Sequence, residues 1–286
     1  MKNKGKICLL ISAFIYGLAP ILAKVTYEGG ANGITLTFLR ASLCVPLLYV
    51  MIKADKKSLR LTKREMKSVT ILSIFGGTVP MILLYMSYSY ISAGLATTLH
   101  FIYPLIIVIA SSFLFHEKMT KIKLSAVILV TIGIFLFVDI SKSSNTLGII
   151  LALLSGIFYS FYVIYIEQSG LDSMDYLKLT FYYLIIMSIS TLLFGLLIHE
   201  ISFNLSPKAW AYSILISFAV TILAIPLFQV GVRQEGASTA GILSTFEPIT
   251  SIACGAVFLG EIVGAWQLIG GFMILTGVIM TEIKDR

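Results

Sequence analysis

Long apolar runs separated by short polar segments recur from one end of the chain to the other. Ten can be counted: approximately Ile7 to Tyr27, Ile34 to Ile52, Val69 to Tyr90, Ala93 to Phe115, Leu124 to Ile140, Leu147 to Ile166, Tyr176 to Ile198, Ala209 to Val232, Ala237 to Leu259 and Trp266 to Ile283. Each approaches the roughly 20 residues that a helix needs to cross ~30 Å of hydrocarbon. The pattern predicts an all-α polytopic membrane protein with ten transmembrane helices and no room for a separate soluble domain. Composition agrees, with 58% hydrophobic and only 12% charged residues and a mean hydropathy of +0.96, against about 25% charged in an ordinary soluble domain.

Charge then orients the spans. All but four of the 21 basic residues, the exceptions being Lys24, Arg40, Lys142 and Lys208, fall on one side if the N-terminus is cytoplasmic, and Lys53 to Lys67 alone holds seven. Such asymmetry is the positive-inside pattern, so both termini are expected in the cytoplasm. The net charge of +7 therefore implies lipid head groups rather than nucleic acid. The basic and apolar start has the parts of a signal peptide, but its apolar character continues past Pro20, and an uncleaved first span is expected. Cys8, Cys44 and Cys254 form neither a disulfide framework nor a metal pattern.

The chain also repeats itself. "LHFIYPLIIVIASSFLFHEKM" from Leu99 and "LSTFEPITSIACGAVFLGEIV" from Leu243 superpose at a shift of 144, which brings Pro104 onto Pro248, Glu117 onto Glu261 and Gly133 onto Gly277. In the first spans of each half a shift of 143 aligns Ser12 with Ser155, Tyr16 with Tyr159, and Thr37-Phe38 with Thr180-Phe181. Two units are expected, 1–143 and 144–286. Five spans per unit is an odd number, so the second must be inverted relative to the first, giving halves related by a pseudo-two-fold axis in the membrane plane.

On these motifs the sequence resembles the EamA-type branch of the drug/metabolite transporter superfamily. The resemblance is carried by "FEPITSIACGAVFLGEIVGAWQLIGGFMILTGVIM" from Phe246, its echo "IYPLIIVIASSFLFHEKMT" from Ile102, and "LTFLRASL" from Leu36. It implies a ten-span transporter of small metabolites in the bacterial inner membrane, with no cofactor. The first-half motif departs from the second in having Tyr103 opposite Glu247 and His116 opposite Gly260, which leaves substrate and coupling open.

Glu247 is the centre of the functional expectation. It lies about 11 residues from either end of the ninth run, where an ionised acid costs roughly 2.5 to 3.5 kcal/mol unless it faces protein or water. Ala240, Ser244, Glu247, Ser251 and Cys254 share one helical stripe, which should face inward. Pro248 and Pro104 displace the carbonyls of Ser244 and His100, so two repeat-related helices break at mid-membrane, where transporters of this design bind cargo. The matching stripe is Ala96, His100, Tyr103, Ile107 and Ala110. Its facing residues, with Tyr16, Tyr159, Tyr85 and Gln229, complete a candidate substrate site of Glu247, His100, Tyr103, Ser244, Tyr85, Gln229, Tyr16 and Tyr159, in which Glu247 is also the candidate for proton coupling. Tyr27, Tyr90 and Tyr176 stand at span ends and are assigned to the interfacial belt. Arg40 is expected to reach the outer surface or pair with Asp139, and Lys24, Glu117, Glu167 and Glu261 to act as anchors or caps.

An acid among aromatic faces suits an amine or quaternary ammonium. A zwitterionic amino acid and a neutral metabolite exchanged for a proton remain alternatives, and monomer or homodimer is left open. No G-x-x-x-x-G-K-[ST] segment is present for nucleotide-driven pumping, nor H-E-x-x-H or G-x-S-x-G for hydrolysis. Secondary transport is the expectation. A membrane-embedded enzyme using Glu247 and His100, or a passive channel, is the rival.

Overall fold

The computed structural model of the chain describes residues 4–87, 90–91, 96, 99–114, 120–136, 145–259 and 264–283. Within them helix occupies every expected run. The first half contains α1 (Lys4–Glu28), α2 (Gly33–Ser42), α3 (Val45–Ala54), α4 (Lys63–Ile71), a π-helix (Leu72–Thr78), α5 (Val79–Ser87), α6 (Tyr103–Leu114) and α7 (Lys121–Phe135). The second half contains α8 (Thr146–Gln168), α9 (Tyr176–Leu197), α10 (Pro207–Ile216), a second π-helix (Ser217–Ala224), α11 (Ile225–Ser244), α12 (Phe246–Leu259) and α13 (Ala265–Ile283). Six helical stretches are each long and apolar enough to cross a membrane, and shorter apolar helices stand in the fourth, fifth and tenth runs. No strand occurs among the described residues, and the chain is an all-α polytopic membrane protein. Its apolar side chains face outward as lipid demands: Phe113, Leu197 and Phe272 are 78%, 79% and 72% exposed. Glu117, Glu261, His116 and Asp139, and the side chains of Lys24 and Ser251, lie outside the described residues.

Proline decides where the helices restart. Six of the seven, Pro46, Pro80, Pro104, Pro207, Pro226 and Pro248, stand in the first turn of a helical segment, where the missing N–H would have had no intrahelical acceptor. Ahead of Pro80 and Pro226 the ladder widens into the two π-helices, so Val79 N donates to Ile74 O and Ile225 N to Val220 O. This rerouting keeps backbone groups paired inside the bilayer. Gly236, at φ +82°, turns the chain inside α11. Ala237 N then donates to Glu167 Oε2 at 2.8 Å, so the acid at the end of α8 caps the helix leading to Glu247, as expected of it.

The structure repeats at the same offsets as the sequence. Ser73 Oγ donates to Val69 O at 2.7 Å and Ser217 Oγ to Ser213 O at 2.5 Å. Thr37 Oγ1 donates to Gly33 O and Thr180 Oγ1 to Tyr176 O, both at 2.8 Å. Asn32 caps α2 through Thr35 N, and Asp175 caps α9 through Lys178 N. Packing is reciprocal in the same way: α1 lies against α10, α11 and α12, while α8 lies against α5, its π-helix and α6, and α2 pairs with α9, α6 with α11, and α7 with α13. Reciprocity of this kind, with five runs per half, is the architecture of an inverted repeat.

Two loop clamps finish the frame. On the face remote from the N-terminus, Asn32 Nδ2 donates to Glu200 O at 2.6 Å and to Glu200 Oε2 at 2.9 Å. On the terminal face Lys57 Nζ meets Asp175 Oδ2 at 2.8 Å. Asn32 and Asp175 are repeat mates, as are Lys57 and Glu200, so the same two positions clamp both faces, with an ion pair on one and an amide–carboxylate contact on the other. The hydrogen bond to Asp175 holds the Lys57 ammonium above its ordinary 10.5. That contact therefore contributes fully below pH 10.5 and is lost as pH rises through the raised value. Asp175→Ala is expected to lower the stability of the detergent-solubilised protein by about 1 kcal/mol through loss of the cap. Asp175→Asn keeps a capping side chain and should lose only the exposed ion pair, about 0.2–1 kcal/mol. Thermal melting of both variants against the parent, at pH 7, checks the ranking.

Candidate functional site

The α6 and α12 segments both begin at mid-membrane after a broken turn, at residues 101–102 and at Thr245, which are repeat mates. Beside these breaks lies a cavity of about 550 Å3. Its lining runs along α1 from Tyr16 through Ala19 and Ala23 to Tyr27, and includes Leu36, Leu84 and Tyr85. The cavity therefore extends from mid-membrane toward the face remote from the N-terminus. Toward the terminal face α1 and α11 pack closely, Leu9 on Gly231 and Gly5 on Gln234 and Glu235.

Two glycines allow the broken segments to approach this closely. A Cβ on Gly156 would stand 2.6 Å from His100 O, and one on Gly17 would stand 2.6 Å from both Glu247 O and Thr250 Cβ. Helices α8 and α1 thus pass directly over the backbone at the two breaks, and any side chain there would force them apart.

His100 is buried, with Nδ1 2.8 Å from Ser155 Oγ. Ser155 gives its one proton to Ala152 O at 2.6 Å, so it can only accept from His100. The neutral imidazole consequently carries its proton on Nδ1 and a lone pair on Nε2. Around it the rings form a continuous wall. His100 and Tyr159 are 5.3 Å apart, Tyr103 and Tyr159 4.7 Å at 71°, Tyr159 and Tyr162 5.7 Å, and Tyr162 and Tyr183 5.5 Å. Seven tyrosines in all line the cavity, presenting π-faces to whatever enters.

An acidic and a basic side chain share this aromatic space. Glu247 and Arg40 both line the cavity. Yet no ion pair joins them among the described residues, and Arg40 Nε is buried without a hydrogen-bond partner. No group of metal-binding side chains occurs among the described residues.

Of the eight residues expected at the site, the cavity brings together Glu247, His100, Tyr103, Tyr85, Tyr16 and Tyr159. Ser244 and Gln229 do not line it. Ser244 is buried with its hydroxyl on Ala240 O at 2.7 Å, and Gln229 is buried with its side-chain amide 3.0 Å from Thr180 Oγ1. Arg40, expected at the outer surface or on Asp139, lines the cavity, and Asp139 lies outside the described residues. Tyr27 is corrected too, since the cavity reaches the end of α1, whereas Tyr90 and Tyr176 are exposed. Tyr162 and Tyr183 were missed. Tyr162 follows Tyr159 by one helical turn and Tyr183 is the repeat mate of Arg40, so spacing and repetition carried the signal for both.

Comparison with known proteins bears on the whole chain. The profile of the EamA-like transporter family matches residues 3–139 and again 146–283. The uncharacterized transporter YcbK of Bacillus subtilis is 25% identical across 98% of this chain and 94% of its own length. An uncharacterized transporter of Archaeoglobus fulgidus is 25% identical across 96% and 95%, and YetK of Bacillus subtilis, also an uncharacterized transporter, is 27% identical across 100% and 89%. A solved crystal structure superposes at a TM-score of 0.87 with 15% identity, covering all of both chains. At that identity the match speaks to the fold alone.

The close approach at the breaks yields a test. Gly156→Ala should destabilise the protein by about 1–3 kcal/mol, the range for overpacking in a tight site, and Gly156→Leu by more. Melting temperatures of the purified variants measure both, and an unchanged melting temperature for Gly156→Leu contradicts the packing described.

Proposed function

Because the chain belongs to the EamA-like transporter family, we propose that it is a secondary transporter moving a small zwitterionic metabolite by alternating access, with Glu247 holding the ammonium end and Arg40 the carboxylate end. One observation carries this reading: an acid and a base line one cavity without pairing with each other. Burying an acid and a base that do not pair with each other is costly, and a ligand bearing the complementary charges offsets that cost at both ends. Each charge-assisted hydrogen bond contributes about 1.5–3 kcal/mol, and tyrosine faces add about 0.5–2 kcal/mol to a bound cation.

A plain amine or quaternary ammonium uses only Glu247 and the tyrosines, and is the second reading, favoured by the aromatic wall. A zwitterion carries no net charge, so the membrane potential does no work on it unless an ion accompanies it. In this reading Glu247 takes up a proton when the ammonium leaves. A proton so coupled would bring about 1.4 kcal/mol per pH unit and about 2.3 kcal/mol per 100 mV. The surplus of basic residues on the terminal face supports cytoplasmic termini, and the bacterial inner membrane is the location we assign.

Uptake into liposomes of a panel of radiolabelled zwitterions and amines, at several pH gradients, tests the proposal. Glu247→Gln should reduce uptake of both classes by about 10- to 100-fold, the equivalent of one lost charge-assisted contact. Arg40→Gln should reduce uptake of zwitterions alone. Wild-type rates and unaltered pH dependence in both variants, when reconstituted as monodisperse protein, would remove these residues from the transport site.

A further inference from the structure

Behind two tyrosines of the cavity wall lie glycines. A Cβ on Gly76 would stand 2.8 Å from Tyr162 Cβ and 2.9 Å from Tyr162 Cα, and one on Gly77 would stand 2.7 Å from Tyr183 Oη and 2.9 Å from two carbons of its ring. Both glycines are buried in the first π-helix, which packs against α8 and α9. The next residue, Thr78, shares a 2.6 Å hydrogen bond with Ser190, two turns beyond Tyr183 on α9. That bond ties the π-helix to α9, so a bulkier residue at position 77 moves the ring and not the helix.

The other half shows that this frame does not demand glycine. At the offset of 144 that Ser73 and Ser217 share, Gly76 and Gly77 fall on Val220 and Thr221 of the second π-helix. A π-helix is therefore built equally well with β-branched residues, and backbone geometry does not account for the two glycines. Their neighbours have changed in step: Tyr162 is the mate of Ala19, and Tyr183 of Arg40. Val220 and Ala19 share one apolar cluster with Leu36 and Ile216, and Thr221 Oγ1 donates to Arg40 O at 3.0 Å. Where the π-helix carries Val220 the wall carries alanine, and where the wall carries Tyr162 the π-helix is bare. Close packing requires such an exchange of bulk.

The rings so accommodated are fixed in place. Tyr162 stacks on Phe228 at 6.1 Å and 17°, and Tyr183 stands 5.5 Å from Tyr162. Met187, one turn after Tyr183, continues this part of the wall. The cavity they border, about 550 Å3, falls within the roughly 300–1,000 Å3 of sites that enclose drug-sized ligands. We propose that Gly76 and Gly77 are positioning residues that let Tyr162 and Tyr183 lie back against the π-helix, opening a recess for a bulky apolar side group, so that the ligand is a zwitterion with a large side group and not a compact one. This rests on the reading of the cavity as the substrate site and deepens it by naming the size class. A methyl group at position 77 would drive the Tyr183 ring toward the cavity and fill the recess without removing any polar group.

Two measurements separate the recess from the ligand. For the recess, Met187→Cys in a Cys8→Ala, Cys44→Ala, Cys254→Ala background is labelled in detergent with N-ethylmaleimide and with the bulkier N-pyrenylmaleimide, with and without Gly77→Ala. Gly77→Ala should slow the bulky reagent by about 10- to 200-fold, the effect of one methylene group in an apolar pocket, and leave the small reagent unchanged. Adding Tyr183→Leu removes the ring that the new Cβ meets and should restore the bulky reaction. Equal slowing of both reagents in folded protein, or no restoration by Tyr183→Leu, overturns the recess. Should Gly77→Ala fail to fold, Tyr183→Leu alone should speed the bulky reagent relative to the small one, and an unchanged ratio overturns the recess as well. For the ligand, equilibrium binding of glycine, alanine, leucine, phenylalanine and tryptophan, and of the matching amines, is compared in the parent and in Gly77→Ala. Affinity should rise with side-group size in the parent, and Gly77→Ala should weaken the two aromatic ligands by the same 10- to 200-fold while sparing glycine and alanine. A flat ranking, with binding still dependent on Glu247 and Arg40, rejects the size class and leaves the zwitterion reading standing. A size ranking among amines without binding of zwitterions rejects the zwitterion and leaves the recess standing. Binding of neither series rejects the ligand class together with the reading it rests on.

Discussion

A helix interrupted inside hydrocarbon leaves backbone groups that lipid cannot satisfy, and this constraint shapes everything else in the molecule. The chain interrupts its helices repeatedly and resolves each interruption inside the protein. Proline falls in the first turn of a new segment, so its missing N–H leaves no orphan acceptor. The π-helices before Pro80 and Pro226 shift the ladder by one residue. At the two central breaks, α8 and α1 press their glycine backbones against the freed region. Only protein or a cavity that offers polar groups can border such segments, and the cavity lined by Glu247, Arg40 and the tyrosines lies there.

Duplication provides the frame, and divergence between the copies provides the chemistry. Where mates agree, as at Tyr16 and Tyr159 or at the breaks themselves, they build walls and turns. Where they disagree, the charges appear: Glu247 stands opposite Tyr103, and Arg40 opposite Tyr183. One charge from each half reaches the same cavity, and each faces a tyrosine in the mate position. A symmetrical pair of acids or of bases would repel itself in a low-dielectric space, so a single departure in each half, of opposite sign, is the arrangement that holds both charges. The clamps follow the same rule, with an ion pair at Lys57 and Asp175 replaced by amide and carboxylate at Asn32 and Glu200.

Much of this was legible in the sequence because its causes are local or repeated. Span lengths follow from hydrocarbon thickness, and Pro104 and Pro248 mark the breaks by themselves. Glu247 could be placed because nothing at mid-span allows a short acid to reach water along lipid. Arg40 could not, since an arginine two turns inside a span is able to snorkel, and only the rotation of α2 on α9 decides its direction. Tyr27 was misplaced for a related reason: its position at a span end is common to belt and vestibule, and the depth of the cavity distinguishes them. Gln229 followed from its alignment with Tyr85 and Ser244 from the helical stripe it shares with Glu247, and neither spacing nor repetition could show that the two do not line the cavity. The π-helices left no mark except the prolines that follow them.

The claim at the centre is that one cavity binds one molecule through two opposite charges. Equilibrium binding to the purified protein of three matched ligands, an amine, a carboxylate and the zwitterion that joins them, addresses it most directly. The zwitterion should bind tighter than either single-charged relative by roughly tenfold or more, the equivalent of one further charged contact. Equal affinity for the amine and the zwitterion would mean that Arg40 holds no part of the ligand.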